Sequence, residues 1–187
     1  QCNTETTGDR IVRLLAGREL QSIGEAFGEL QREALVGTLV AEAIARRLAA
    51  DGASVVVNSS RSVEAGAVVA ADIGGHYVQA DIADEAQCEA LVAATLERAG
   101  RLDVLVNNAG VTSVIPHHDL DAVTDEVFRR ILDVNVLGTW NLTRLAMPHL
   151  KASGDGVVVN ITSIAGLRPT GSSIPYAASK AALNHLT

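Results

Sequence analysis

The chain has 187 residues, 48% hydrophobic but only 3% aromatic, which suits one domain with a substantial core of Ala, Val, Leu and Ile. A net charge of −7 argues against a general nucleic-acid binder or an anionic membrane surface, and no run approaches the roughly 18 apolar residues of a membrane span. Two distant cysteines, Cys2 and Cys88, and no basic-then-apolar leader predict no disulfide framework and a reducing, cytoplasmic setting.

Asp9 to Leu30 carries Ile11, Leu14, Leu15, Ile23, Phe27 and Leu30 at loosely helical spacing. Gly17, Gly24 and Gly28 interrupt it, each costing about 1 kcal/mol in a helix, so residues 1–29 are expected to be an extension with no functional signal. A strict alternation then begins. Ala34-Leu35-Val36 predicts a short strand, followed by a helix from Val40 to Ala50 that Asp51-Gly52 stops. Ser54 to Asn58 is the second strand and Val63 to Ile73 the second helix. His76 to Gln79 is the third strand, and Glu85 to Ala99 the third helix, with Gly100 after it. Leu102 to Val106 is the fourth strand, and one long helix is expected from about Asp125 to Leu150. Val157, Val158, Val159 and Ile161, between Gly156 and Gly166, make a fifth strand apolar on both faces, and a last helix follows. Strands alternating with helices predict an α/β fold: right-handed βαβ units in a doubly wound parallel sheet over residues 30–187. With no initiator Met, and a last residue, Thr187, inside a predicted helix, the chain is expected to be a fragment or a processed piece.

The chemistry gathers at the strand ends. Ser163 lies just past the fifth strand, where open α/β sheets bind ligands. Tyr176 and Lys180 follow at i and i+4, so one helical face presents a phenol beside an ammonium. With only two Tyr and two Lys in the chain, such a pair arises by chance roughly one time in fifty. A surface Tyr and Lys sharing a helix is the bland alternative, and the Ser upstream weakens it. Asn107-Asn108-Ala109-Gly110 ends the fourth strand, either as an ordinary turn or as a place where backbone approaches a ligand. Asp81, just past the third strand, could accept from an adenine amino group or cap the following helix. Asn135 stands inside the long helix, a poor place for Asn unless its side chain has a task. Cys88 is expected to be buried on the third helix. The adjacent His117 and His118 diverge and do not suit a shared metal, so no metal site is expected.

Together these positions resemble the short-chain dehydrogenase/reductase family, in members such as 3-oxoacyl-carrier-protein reductase or glucose dehydrogenase. The resemblance covers about Leu30 to Thr187. It rests on Asn107-Asn108-Ala109-Gly110, on Asn135 in Asp-Val-Asn-Val-Leu-Gly-Thr, on Ser163 in Asn-Ile-Thr-Ser-Ile-Ala-Gly, and on Tyr176-Ala-Ala-Ser-Lys180. It implies an NAD(P)-binding Rossmann domain whose last strands lie beyond this chain. It also implies a small carbonyl or alcohol substrate and a homo-oligomer in the full-length protein. By resemblance, Tyr176 is the general acid/base, Ser163 holds the substrate oxygen, Lys180 binds the nicotinamide ribose and acidifies the phenol, and Asn135 holds a relay water. A free phenol titrates near ~10, so bringing it to about 7 takes roughly 4 kcal/mol, which an adjacent ammonium can help supply.

The cofactor-binding residues implied are Gly37, Asn58, Arg61, Asp81, Ile82, Asn108, Ala109 and Gly110, with Tyr176 and Lys180. Asn58, where NAD-preferring members tend to have an acidic residue, and Arg61, which could meet a 2′-phosphate, imply NADP, with NAD the alternative. One stretch departs from the family. Its first turn carries Thr-Gly-x-x-x-Gly-x-Gly, which lets the pyrophosphate reach a helix N-terminus, whereas Gly37-Thr38-Leu39-Val40-Ala41 keeps only Gly37. Three readings stay open: an active oxidoreductase, a catalytically incompetent member of the family, and a subunit-interaction protein.

Overall fold

The structure, a computed structural model, describes residues 29–168 and 170–187. The expectations for residues 1–28, the extension and its loosely helical spacing, lie outside the described residues. The chain divides into two compact units, Gln1–Glu33 and Ala34–Thr187, and the second holds every described strand.

Helix α1 spans Glu29–Ala50. It continues through Ala34-Leu35-Val36 and Gly37, so the expected first strand and the turn after it do not form. A three-residue apolar run cannot be told from a helical segment by periodicity. Here Ala34, Leu35, Ala41, Glu42 and Ala43 are good helix formers, and no glycine cluster interrupts them. Farther along α1, Arg46 bonds Glu42 and Asp72, each at 2.8 Å, which ties this helix to the next.

Strand β1 (Val56–Ser59) leads into α2 (Val63–Asp72), β2 (His76–Gln79) and α3 (Glu85–Ala99). Asp84 starts α3 by accepting from the amides of Ala86 and Gln87, and Gly100 ends it by donating to the Leu96 carbonyl. Asp84 therefore caps this helix, not Asp81. Strand β3 (Val104–Asn107) is followed by a loop and α4 (Asp125–Leu132), which Thr124 caps. The expected single long helix is broken: residues Asp133–Gly138 form a π-helical turn before α5 (Thr139–Ser153) resumes. Single π turns inside helices concentrate at functional sites, and this one holds Asn135. Strand β4 (Val157–Asn160), a 3₁₀ turn at Ile164–Gly166 and α6 (Ile174–Leu186) complete the order.

The strands pair as two parallel couples, β1 with β2 (Val56 opposite His76) and β3 with β4 (Val104 opposite Val157). In the doubly wound order the first strand lies between the second and the fourth. The residues expected there, Ala34 to Val36, are helical, so the described strands form two pairs and not one continuous sheet. Both pairs rest on one core. Its buried members include Ile82, Leu91, Val134, Leu142 and Leu150, with Val56, Val78, Leu105 and Val158 half-buried against them. Cys88 is fully buried as expected, and burial pushes its thiol up to about 11.

Candidate active site

The ends of β3 and β4, the π turn and the start of α6 carry the four expected catalytic residues, and bonds through Ser179 and Ile161 tie Asn135 and Lys180 to this region. Lys180 is buried on α6, and its ammonium donates to the Ile161 carbonyl at 2.8 Å, two residues before Ser163. The same nitrogen stands 5.8 Å from the centre of the Tyr176 ring, the proximity that i, i+4 spacing predicts. Burial holds the Lys180 pKa below the ordinary lysine value.

Ser163 starts the 3₁₀ turn, its hydroxyl accepting from the Ala165 amide at 3.2 Å, which leaves its own proton to donate. Gly166 lies against the backbone of α6: a side chain there would stand 2.7 Å from the Lys180 carbonyl carbon and oxygen. Only glycine lets the Ser163 turn rest so closely on the helix that carries Tyr176 and Lys180.

Asn135 is fully buried, and its amide is wholly engaged. Its oxygen accepts from the Val111 amide at 2.7 Å, and its nitrogen donates to the Val111 carbonyl at 3.0 Å and to the Ser179 hydroxyl at 2.9 Å. The task that Asn in this helix requires is thus to pin the chain leaving β3. Asn107, in the strand-end motif, donates to Thr143 and Asn160 and so joins β3 to α5 and β4. The loop after β3 is held again where Ser172 pairs with the Thr112 hydroxyl and accepts from the Ile115 amide at 2.7 Å.

The expected cofactor residues divide into two groups. Gly110 borders the network: a side chain there would come within 3.3 Å of the Asn135 amide oxygen and 3.6 Å of the Lys180 ammonium. Asn108 and Ala109 precede it in the same strand-exit turn. This end has the small backbone cradle and the fixed cation that a nicotinamide ribose requires. Ile82 is buried, its carbonyl taken by the Cys88 thiol. Asp81 bonds the Ala83 amide at 3.0 Å and Arg130 at 3.3 Å, so its carboxylate already has two partners. Asn58 turns its amide across to the Val78 and Ala80 carbonyls, at 3.0 and 3.1 Å, which makes it a structural tie between β1 and β2. Arg61 is exposed. Gly37, expected in a phosphate-binding turn, lies within α1, where helical neighbours occupy the amides that a pyrophosphate needs. The phosphate end of a dinucleotide site therefore does not fit these residues.

Sequence reasoning missed Ser179, Val111 and Arg130. Ser179 sits inside the Tyr176-to-Lys180 motif and passes for an ordinary helical serine. Val111 contributes only backbone, which leaves no signal in a sequence.

A family model described as short chain dehydrogenase matches residues 38–187. Over 141 residues the chain is 58% identical to "Granaticin polyketide synthase putative ketoacyl reductase 2" of Streptomyces violaceoruber, covering 75% of this chain and 57% of that protein. It is 37% identical over 145 residues to L-fucose dehydrogenase of Oryctolagus cuniculus, covering 77% of this chain and 50% of that one. Among solved structures it superimposes on levodione reductase with a TM-score of 0.70 at 34% identity, covering 78% of this chain and 58% of that one. The chain thus spans little more than half the length of these relatives. The matched residues take in the whole network around Asn135, Ser163, Tyr176 and Lys180, and the chain belongs to the short-chain dehydrogenase family of oxidoreductases.

Proposed function

We propose that residues 30–187 carry the proton-transfer machinery of an NAD(P)-dependent oxidoreductase that interconverts a carbonyl and an alcohol on a small molecule. The observation that supports this most is the buried Lys180 ammonium, fixed by the Ile161 carbonyl beside the Tyr176 ring. A fixed cation next to a phenol favours phenolate, as a general acid/base of this type requires. Tyr176 then exchanges the proton with the substrate oxygen, and Ser163 donates its free hydroxyl proton to hold that oxygen in place. Lys180 also reaches the nicotinamide ribose. Because the Asn135 side chain is committed to Val111 and Ser179, a relay water would be held by the main chain of its turn. The nicotinamide, when bound, supplies the hydride chemistry. The protein's residues orient the reactants and move the proton.

Asn108, Ala109 and Gly110 would line the nicotinamide end, and Asp81 and Ile82 the adenine end. Exposed Arg61, together with an amide instead of a carboxylate at Asn58, supports NADP over NAD. The higher identity to a ketoacyl reductase than to a sugar dehydrogenase supports a ketone of the ketoacyl kind as substrate. Exposed Leu137 in the π turn and Trp140 in the first turn of α5 support a homo-oligomer. Tyr176→Phe tests the reading in a chain of the relatives' full length whose Gly37–Ala41 stretch is replaced by the family's glycine-rich turn: turnover should fall at least ~10²-fold with cofactor affinity little changed, and near-normal turnover would overturn the assignment.

One observation favours a second reading. With α1 running through Gly37, the chain would keep the proton-transfer network without a phosphate site, as in a catalytically incompetent relative.

A further inference from the structure

Ser179 is completely buried and makes two hydrogen bonds whose directions follow from the donors available. The Val111 amide can only donate, so the Asn135 atom it meets at 2.7 Å is the oxygen, and the other Asn135 atom is the NH₂ group. That NH₂ has two protons. One goes to the Val111 carbonyl at 3.0 Å and the other to Ser179 Oγ at 2.9 Å. Ser179 therefore accepts from Asn135, and its single proton goes to the Tyr176 carbonyl at 2.7 Å. The result is a chain of fully satisfied bonds from the exit of β3, through the π turn, to the first turn of α6.

We propose that Ser179 is a positioning residue, which clasps Asn135 and thereby fixes the π turn and the Val111 backbone against the helix that carries Tyr176 and Lys180. The other two side-chain hydrogen bonds of Asn135 among the described residues are both to Val111. Without the hydroxyl, one Asn135 proton is buried without an acceptor, and the amide can rotate away from the Val111 amide. Gly110, packed between Asn135 and the Lys180 ammonium, moves with it. The effect on turnover rests on the proton-transfer reading above; the effect on the clasp does not.

Hydrogen exchange therefore decides it, with no need for cofactor or substrate. In Ser179→Ala, exchange of the Val111 amide should accelerate roughly tenfold, the scale of one lost hydrogen bond. The His76 amide, which donates to the Val55 carbonyl on the other strand pair, should be unchanged. Ser179→Cys keeps a weaker donor and acceptor at nearly the same volume, so it should exchange at an intermediate rate. It also serves as the decisive variant if Ser179→Ala does not fold. Where turnover is measurable, Ser179→Ala should lower kcat with little change in KM, since a displaced reacting group costs rate more than affinity. A Val111 amide that exchanges at the parent rate, or one that accelerates in step with His76, overturns the proposal. A full-length chain with the glycine-rich turn restored that binds NADP but stays inactive, with the local exchange pattern intact, would overturn only the oxidoreductase reading.

Discussion

The two strand pairs rest on one core but treat their polar residues in opposite ways. Around β3 and β4, Asn107, Asn135, Thr139, Ser172, Ser173, Ser179 and Lys180 are buried, and most are bonded to segments far away in the chain. Around β1 and β2, no polar side chain among the described residues is buried to that degree. The bonds there join half-buried groups on paired strands, such as Asn58 to its neighbouring strand and Ser59 to Tyr77. A site assembled from long-range bonds involves many residues, each supported by several others. A phosphate site depends on one local turn with glycines at set places, and a change in a few residues removes it. On the function proposed above, that is the difference between the end that carries Tyr176 and Lys180 and the end expected to hold the nucleotide phosphates.

The largest expected effect comes from trying to abolish that difference. Replacing Gly37–Ala41 with Thr-Gly-Gly-Thr-Arg-Gly-Ile-Gly should raise NADP affinity about 10³-fold, because two charge-assisted hydrogen bonds at roughly 1.5–3 kcal/mol each are regained. Titration calorimetry of the unmodified chain should show no NADP binding at micromolar concentrations. Micromolar binding there would mean that α1 does not preclude the phosphate site and that the contrast is false.

A smaller effect sharpens the contrast within the nucleotide end. In the chain with the replaced turn, Arg61→Ala should weaken NADP by about 1–2 kcal/mol and leave NAD nearly unchanged, since only NADP has a 2′-phosphate. Equal weakening of both cofactors would remove Arg61 from cofactor choice.

The smallest concerns the buried ammonium. Burial lowers the Lys180 pKa in the folded chain, so between that value and the ordinary lysine value near ~10.4 the unfolded chain binds more protons. Stability contributed at this position therefore rises with pH across that window, because the cost of burying the charge disappears as the group becomes neutral. In a Tyr176→Phe background, where the phenol cannot titrate, denaturant melts of the parent and of Lys180→Met should diverge in the parent's favour as pH rises toward the ordinary lysine value. Parallel curves would mean that the ammonium is better solvated than its position suggests.

Local chemistry alone determined a good part of this protein. β2 and α3 fall where the sequence predicts them, residue for residue, because Asp84 supplies a cap and Gly100 a stop within the chain segment itself. The i, i+4 spacing of Tyr176 and Lys180 likewise needs nothing but a helix. Other features are settled only where segments meet. Ala34-Leu35-Val36 is an apolar run that either element could use, but a strand needs neighbours to pair with, and a helix satisfies its own backbone. The π turn at Asp133–Gly138 has no local signature and accompanies the anchoring of Asn135 to a loop 24 positions away. Asp81 and Asn58 also bond Arg130 and the adjoining strand, partners that no local pattern announces. Ser179 is one more helical serine until the fold places Asn135, 44 positions away, within 2.9 Å of it. A sequence specifies bonds that close within a few residues, whereas bonds between distant residues form only after the backbone has brought them together.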